Sequence, residues 1–109
     1  MQSIFVLLIS IIMFACSKNS SSYGNNSNPN TVSIKNFAYS VATLNVSSGT
    51  EVTWTNNDAT AHTVTADDAS FDSGNIAPGG TYKHTFSTAG TVSYHCTIHP
   101  MMTASVVVK

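Results

Sequence analysis

The side chains best suited to chemistry lie near the C-terminus of this 109-residue chain, in Tyr94-His95-Cys96-Thr97-Ile98-His99-Pro100-Met101-Met102. A thiol, an imidazole and a thioether follow one another there as Cys96, His99 and Met102, in a C-x2-H-x2-M array. These are soft to borderline donors, which suit copper rather than magnesium or calcium. Zinc accepts thiolate and imidazole too, but methionine is an unusual zinc ligand. A copper site of this kind needs one more imidazole. His62, within Asp58-Ala59-Thr60-Ala61-His62-Thr63-Val64, is the candidate.

The elements that position these residues read as short strands. Val32-Ser33-Ile34 alternates, residues 39–46 are rich in β-formers, and Ser48-Gly49 turns the chain into Glu51-Val52-Thr53-Trp54-Thr55. Asn56-Asn57-Asp58 breaks that run, and His62-Thr63-Val64-Thr65 resumes it. Ala77-Pro78-Gly79-Gly80 precedes residues 81–86, Ala89-Gly90 precedes residues 91–96, and residues 104–108 close the chain. Seven or eight short strands with no helical period predict an all-β domain, an antiparallel sandwich or barrel. Alternation puts Val92, Tyr94 and Cys96 on one face, and Val52, Trp54 and Asn56 on another. It likewise points His62 and Val64 inward, and Thr63 and Thr65 outward.

Composition narrows the function classes. Four Lys, no Arg and five acidic residues leave a net charge of -1. Such a chain has no basic patch for phosphates, which argues against nucleic-acid binding. Residues 4–14 are almost wholly apolar, too short to span a bilayer but long enough for a signal-peptide core. Ala15-Cys16 follows, resembling a bacterial lipobox in which the Cys is lipidated. No Lys or Arg precedes the apolar stretch, and Met13-Phe14 depart from the usual residues. An ordinary signal peptide or an uncleaved anchor are the alternatives. The expected organisation is a signal segment over 1–15, a lipidated Cys16 and polar tether over 16–30, and one domain over 31–109. A flexible tether of that composition spans about 20 Å. With Cys16 lipidated, Cys96 is the one thiol left in an oxidising, exported compartment (periplasm or cell envelope), where a metal would protect it.

The stretch from Tyr94 to Thr103, with the upstream Trp-Thr-Asn-Asn-Asp-Ala-Thr-Ala-His-Thr-Val and Phe-Asp-Ser-Gly-Asn-Ile-Ala-Pro-Gly-Gly-Thr, closely resembles the cupredoxins, nearest the amicyanin, pseudoazurin and plastocyanin group. The resemblance covers residues 31–109. It implies a Greek-key β-sandwich holding one type 1 copper ion and acting as a single-electron shuttle, not an enzyme. His62, Cys96 and His99 match the equatorial ligands and Met102 the axial one; Met101, a competitor for that role, matches an apolar surface residue. Asn56 matches a residue whose side chain ties the upstream His loop to the Cys loop, and Thr97 belongs to the same supporting layer. Ala61 stands where the family usually has Pro.

By the same resemblance His99 brings its ring edge to the surface, and Ile98, Pro100 and Met101 form an apolar docking rim. The expected partner is a transient redox protein such as a c-type cytochrome, an oxidase or a reductase, met by a monomer anchored to a bacterial membrane through lipid. A copper carrier delivering metal to another protein would use the same ligands. His84 reads as a partly buried histidine satisfied by hydrogen bonding, and His95 as structural or solvent-facing. Asp67, Asp68 and Asp72 lack the Gly and Glu of a calcium loop and read as a solvated turn.

Overall fold

The computed structural model describes residues 30–109; the signal segment, Cys16 and the tether expected before them lie outside that range. Eight strands follow: β1 (Thr31–Lys35), β2 (Ala38–Tyr39), β3 (Thr43–Val46), β4 (Thr50–Asn56), β5 (Thr65–Ala66), β6 (Thr81–Phe86), β7 (Gly90–His95) and β8 (Thr103–Val108). They form two four-stranded sheets, ordered β2-β1-β4-β6 and β3-β8-β7-β5. The domain is thus an all-β sandwich, not a closed barrel.

The sheets are not purely antiparallel, contrary to the sequence expectation. β1 pairs parallel with β4, and β3 parallel with β8. Parallel neighbours need a crossover, and the run over residues 39–46 provides it. Instead of forming one strand, it divides into β2 in the first sheet and β3 in the second. β1 therefore reaches β4 only after the chain has visited the opposite sheet, and no hairpin forces the pair antiparallel.

Period-2 burial fills the space between the layers. Val32 and Ile34 from β1, Val52 and Trp54 from β4, and Val106 and Val108 from β8 all turn inward and are buried. Burying each such apolar side chain contributes roughly 1.5–3 kcal/mol. Trp54 is central: its indole N–H donates to the Tyr94 hydroxyl at 3.1 Å, and its ring meets that of Tyr94 edge-on. Burial pushes the Tyr94 phenol up to about 12, so it stays neutral across the physiological range.

One end of this core carries the chemistry. Asn56 ends β4, Cys96 directly follows β7, and Met102 directly precedes β8. The strands thus deliver three of the residues of interest to the same rim. His62 arrives differently. The expected strand over residues 62–65 shrinks to Thr65–Ala66, and His62 is held by an isolated bridge to Ile76. Its N–H donates to the Ile76 carbonyl at 3.2 Å, and the Ile76 N–H returns to the His62 carbonyl at 2.7 Å. Because this segment is not a regular strand, alternation fails there. Thr63 is buried along with His62 and Val64, rather than facing outward.

Candidate metal centre

The donor atoms of His62, Cys96 and His99 lie within 4.8 Å of one another. Cys96 Sγ is 3.8 Å from His62 Nδ1 and 3.9 Å from His99 Nδ1, and the two nitrogens are 3.2 Å apart. Metal–nitrogen and metal–sulfur bonds run to about 2.0 and 2.3 Å. Each pair of donors is close enough for one ion to touch both. One thiolate and two imidazoles fit a soft to borderline ion such as copper. His62 and Cys96 are fully buried, while His99 is partly exposed.

The Cys96–Met102 loop is closed by its own backbone. The Cys96 N–H donates to the Met102 carbonyl at 3.1 Å, and the Met102 N–H to the His99 carbonyl at 2.9 Å. These bonds make a compact turn that carries Cys96 and His99 to one centre. Two neighbouring methionines take opposite environments in it: Met102 is buried at 4% exposure and Met101 is open at 86%. The Cys96 sulfur accepts two amide protons, from Thr63 at 3.3 Å and His99 at 3.4 Å.

His62 is oriented from behind. Its Nε2 lies 2.8 Å from Asp58 Oδ2. An ionised carboxylate only accepts, so Nε2 carries the proton and Nδ1 presents its lone pair to the centre. Asp58 also accepts the backbone N–H groups of Asn36 at 2.7 Å and Phe37 at 2.9 Å. Those bonds, led by Phe37, hold the Asp58 carboxyl below the usual carboxylate range. In the sequence Asp58 stands out only as a strand breaker. An acid four residues before a proposed ligand histidine was the available signal.

Asn56 does not join the His62 loop to the Cys96 loop. Its amide donates to the carbonyls of Thr60 at 2.9 Å and Ile76 at 2.8 Å, and its oxygen accepts the Asp58 N–H at 2.9 Å. It braces the His62 segment internally, because at the end of β4 it is enclosed by that segment's own backbone. The link between the two loops is Thr63, whose hydroxyl oxygen accepts the Thr97 N–H at 2.8 Å. The Thr63 and Thr97 hydroxyls are also 3.3 Å apart. Tyr39 ties the same segment down, its hydroxyl donating to the Thr63 carbonyl at 2.7 Å.

Around His99 the surface is apolar. Ile98 and Met101 are exposed, as is Pro100. Phe37 joins them, and no sequence pattern marked it. Its ring meets those of His62 and His99 edge-on, at centroid distances of 5.3 and 4.9 Å. Phe37, Ile98 and Met101 are the exposed large hydrophobic residues among those described. The other histidines lie outside the centre. His95 Nδ1 pairs with Asp67 at 2.6 Å. His84 packs its ring on Phe71 and Phe86, at 4.4 and 4.8 Å, in place of the expected hydrogen bond.

Comparison with known proteins agrees with this geometry. A family profile described as a cupredoxin-like domain matches residues 6–108. Amicyanin of Paracoccus denitrificans is 36% identical over 83 residues; the match covers 72% of this chain and 63% of that protein, under two thirds of its length. Among solved structures, a Cu(I) form of an amicyanin variant superposes with a TM-score of 0.68 at 36% identity, over 72% of this chain and 80% of that one. A purple cupredoxin from Nitrosopumilus maritimus gives the same TM-score at 28% identity, over 72% of this chain and 98% of its own. With the family profile spanning almost the whole sequence and the two-sheet sandwich beneath it, the chain belongs to the cupredoxin-like family.

Proposed function

We propose that this protein is a copper electron carrier, passing one electron at a time between redox proteins, and not an enzyme. The convergence of His62 Nδ1, Cys96 Sγ and His99 Nδ1 from two separate loops carries the reading. Copper bound there supplies a one-electron couple between Cu(I) and Cu(II). His62, Cys96 and His99 would hold it, with Met102 the weak fourth donor from the same loop. The amide bonds to sulfur, the Asp58 brace and the Thr63–Thr97 link keep the donors in place whichever charge the site carries. Small movement of the ligands is what rapid electron exchange requires.

His99 is the ligand a partner can approach. Its partly exposed ring sits among Phe37, Ile98, Pro100 and Met101, an uncharged rim that suits the small, transient interfaces of redox encounters. A c-type cytochrome, an oxidase or a reductase fits that role, met by this chain as a monomer. The apolar segment before Cys16 supports export and lipid anchoring in a bacterial envelope. Burial of His62, Cys96 and Met102 favours retaining the metal over delivering it. Ready transfer of Cu(I) to an acceptor apoprotein would instead identify a carrier.

The deciding experiment adds Cu(II) to the purified domain and records its visible spectrum. An intense thiolate-to-copper band, lost in Cys96→Ser, is expected. A wild-type domain with no such band overturns the proposal.

A further inference from the structure

Residues 30–109 hold two methionines, Met101 and Met102, adjacent in the chain. The turn between Cys96 and His99 sets their environments far apart. The Met102 N–H donates to the His99 carbonyl, and the Met102 carbonyl accepts the Cys96 N–H. Both backbone groups of Met102 are thus fixed, and its side chain packs into the core at 4% exposure. Met101, one residue earlier, is left outside with 86% of its surface open. Cys96, the remaining sulfur among the described residues, is fully buried. An oxidant arriving through water therefore meets the Met101 thioether first.

Position gives that reactivity a consequence. Met101 shares its rim with Phe37, Ile98 and Pro100, whose side chains carry no hydrogen-bond donor. Oxidation turns a flexible apolar thioether into a polar, chiral sulfoxide. Covering the sulfoxide oxygen with a second apolar surface would strip it of water and supply no bond in return. The fold itself loses little, because so exposed a side chain contributes little packing. At Met102 the same change would force a polar oxygen into the core beside the metal centre, and burial guards against it.

We propose that Met101 is an oxidation site, through which hydrogen peroxide weakens docking at the His99 rim while sparing the metal centre. A lone pair on the Met101 sulfur takes one peroxide oxygen as the O–O bond breaks. The proton on that oxygen passes to the departing hydroxide, leaving sulfoxide and water. Sulfur loses two electrons and the peroxide gains them, so no other reactant is needed. The effect on docking rests on the electron-carrier reading above; the selective oxidation does not.

The test treats the purified metal-free protein with hydrogen peroxide and follows oxygen uptake by tandem mass spectrometry, which tells adjacent residues apart. Met101 should gain its oxygen at least about tenfold faster than Met102, which reacts only when the loop opens. A smaller ratio overturns the site. Copper is then added to the selectively oxidised protein. Its thiolate-to-copper band should match that of untreated protein, while electron self-exchange slows about threefold or more. In Met101→Leu, the same treatment should leave the exchange rate where it stood before treatment. An unchanged rate in oxidised wild type, or equal slowing in treated Met101→Leu, overturns the effect on docking. A lost band in oxidised wild type overturns the sparing of the centre. Untreated protein that shows no band defeats the electron-carrier reading alone, with the selective oxygen uptake still standing.

Discussion

Asp58 Oδ2 accepts from His62 Nε2 at 2.8 Å while the same carboxylate accepts two amides from the β1–β2 turn. A ligand histidine held this way has its tautomer fixed before any metal arrives, and loss of such an outer partner typically costs 10–100-fold in metal affinity, as an order-of-magnitude guide. Asp58→Ala should therefore weaken copper binding by about that factor, measured by competition with a chelator. Asp58→Asn, which keeps an acceptor oxygen, should lose less. Affinity within about twofold of wild type in Asp58→Ala would mean that the His62–Ile76 bridge alone sets the ring.

Phe37 is held in a backbone conformation it would not choose. Asn36 and Phe37 have φ of 55° and 59°, as the two-residue loop between Lys35 and Ala38 requires. Asn tolerates that region, whereas Phe pays roughly 1–2 kcal/mol for it. A bulky ring kept there at 54% exposure, against both His62 and His99, gains little from burial in return. Phe37→Gly relieves the backbone and loses only a half-exposed side chain. Its unfolding free energy in urea should stay within about 1 kcal/mol of wild type. Electron self-exchange should nevertheless slow, since on the docking face proposed around His99 the ring would lie between the two copies. Unchanged exchange would confine Phe37 to covering the histidine edges.

The contrast between Phe37 and Cys96 shows what a sequence can carry. Cys96, His99 and Met102 are close in the chain, so a tight turn is enough to bring them together and spacing alone suggests it. The strands were legible for a similar reason, since alternation and turn residues are local properties; the choice of a sandwich over a barrel came from the family resemblance. Asp58 and Thr63 acquire their roles only when segments distant in sequence meet, and the bonds that matter run to Phe37 and Thr97. Periodicity misplaced Thr63 because the segment around it is tied by single bridges, where the two-residue repeat no longer applies. Asn56 was assigned a neighbour by resemblance, and the chain gives it other partners within its own segment.

Charge should matter little at the proposed docking end. The exposed apolar residues lie around His99, and Lys83 stands on β6, paired with Thr53 in the opposite sheet from Cys96. Interactions between exposed charges fade over a Debye length of about 8 Å at physiological salt. Lys83→Glu should change electron exchange by less than about twofold, with weak salt dependence. Met101→Glu should slow it markedly, because identical surfaces would then meet with like charges at their centre. A large effect of Lys83→Glu with none from Met101→Glu would move the docking face to β6.

Two sets of groups make the metal-free fold sensitive to acid, in separate windows. Asp68 is held below the usual carboxylate range first by its hydrogen bonds with Ser70, and Asp72 by the Gly74 amide and then Thr65. Their protons bind the unfolded chain more readily than the folded one, so their contribution to stability is complete above the ordinary Asp value of about 3.9 and fades as pH falls below it. His84 acts higher. Burial against Phe71 and Phe86 lowers its affinity for a proton, so the unfolded chain binds that proton first as pH drops through about 6.5. Stability due to His84 is therefore lost on acidification from neutrality, ahead of the carboxylates. Melting temperature against pH for wild type and His84→Phe should diverge below pH about 6.5, with the Phe variant flatter, and Asp72→Asn should differ in slope only at the lower window. Parallel curves for wild type and His84→Phe would show that the ring binds its proton equally well in the folded and unfolded states, and would assign the upper window to other groups.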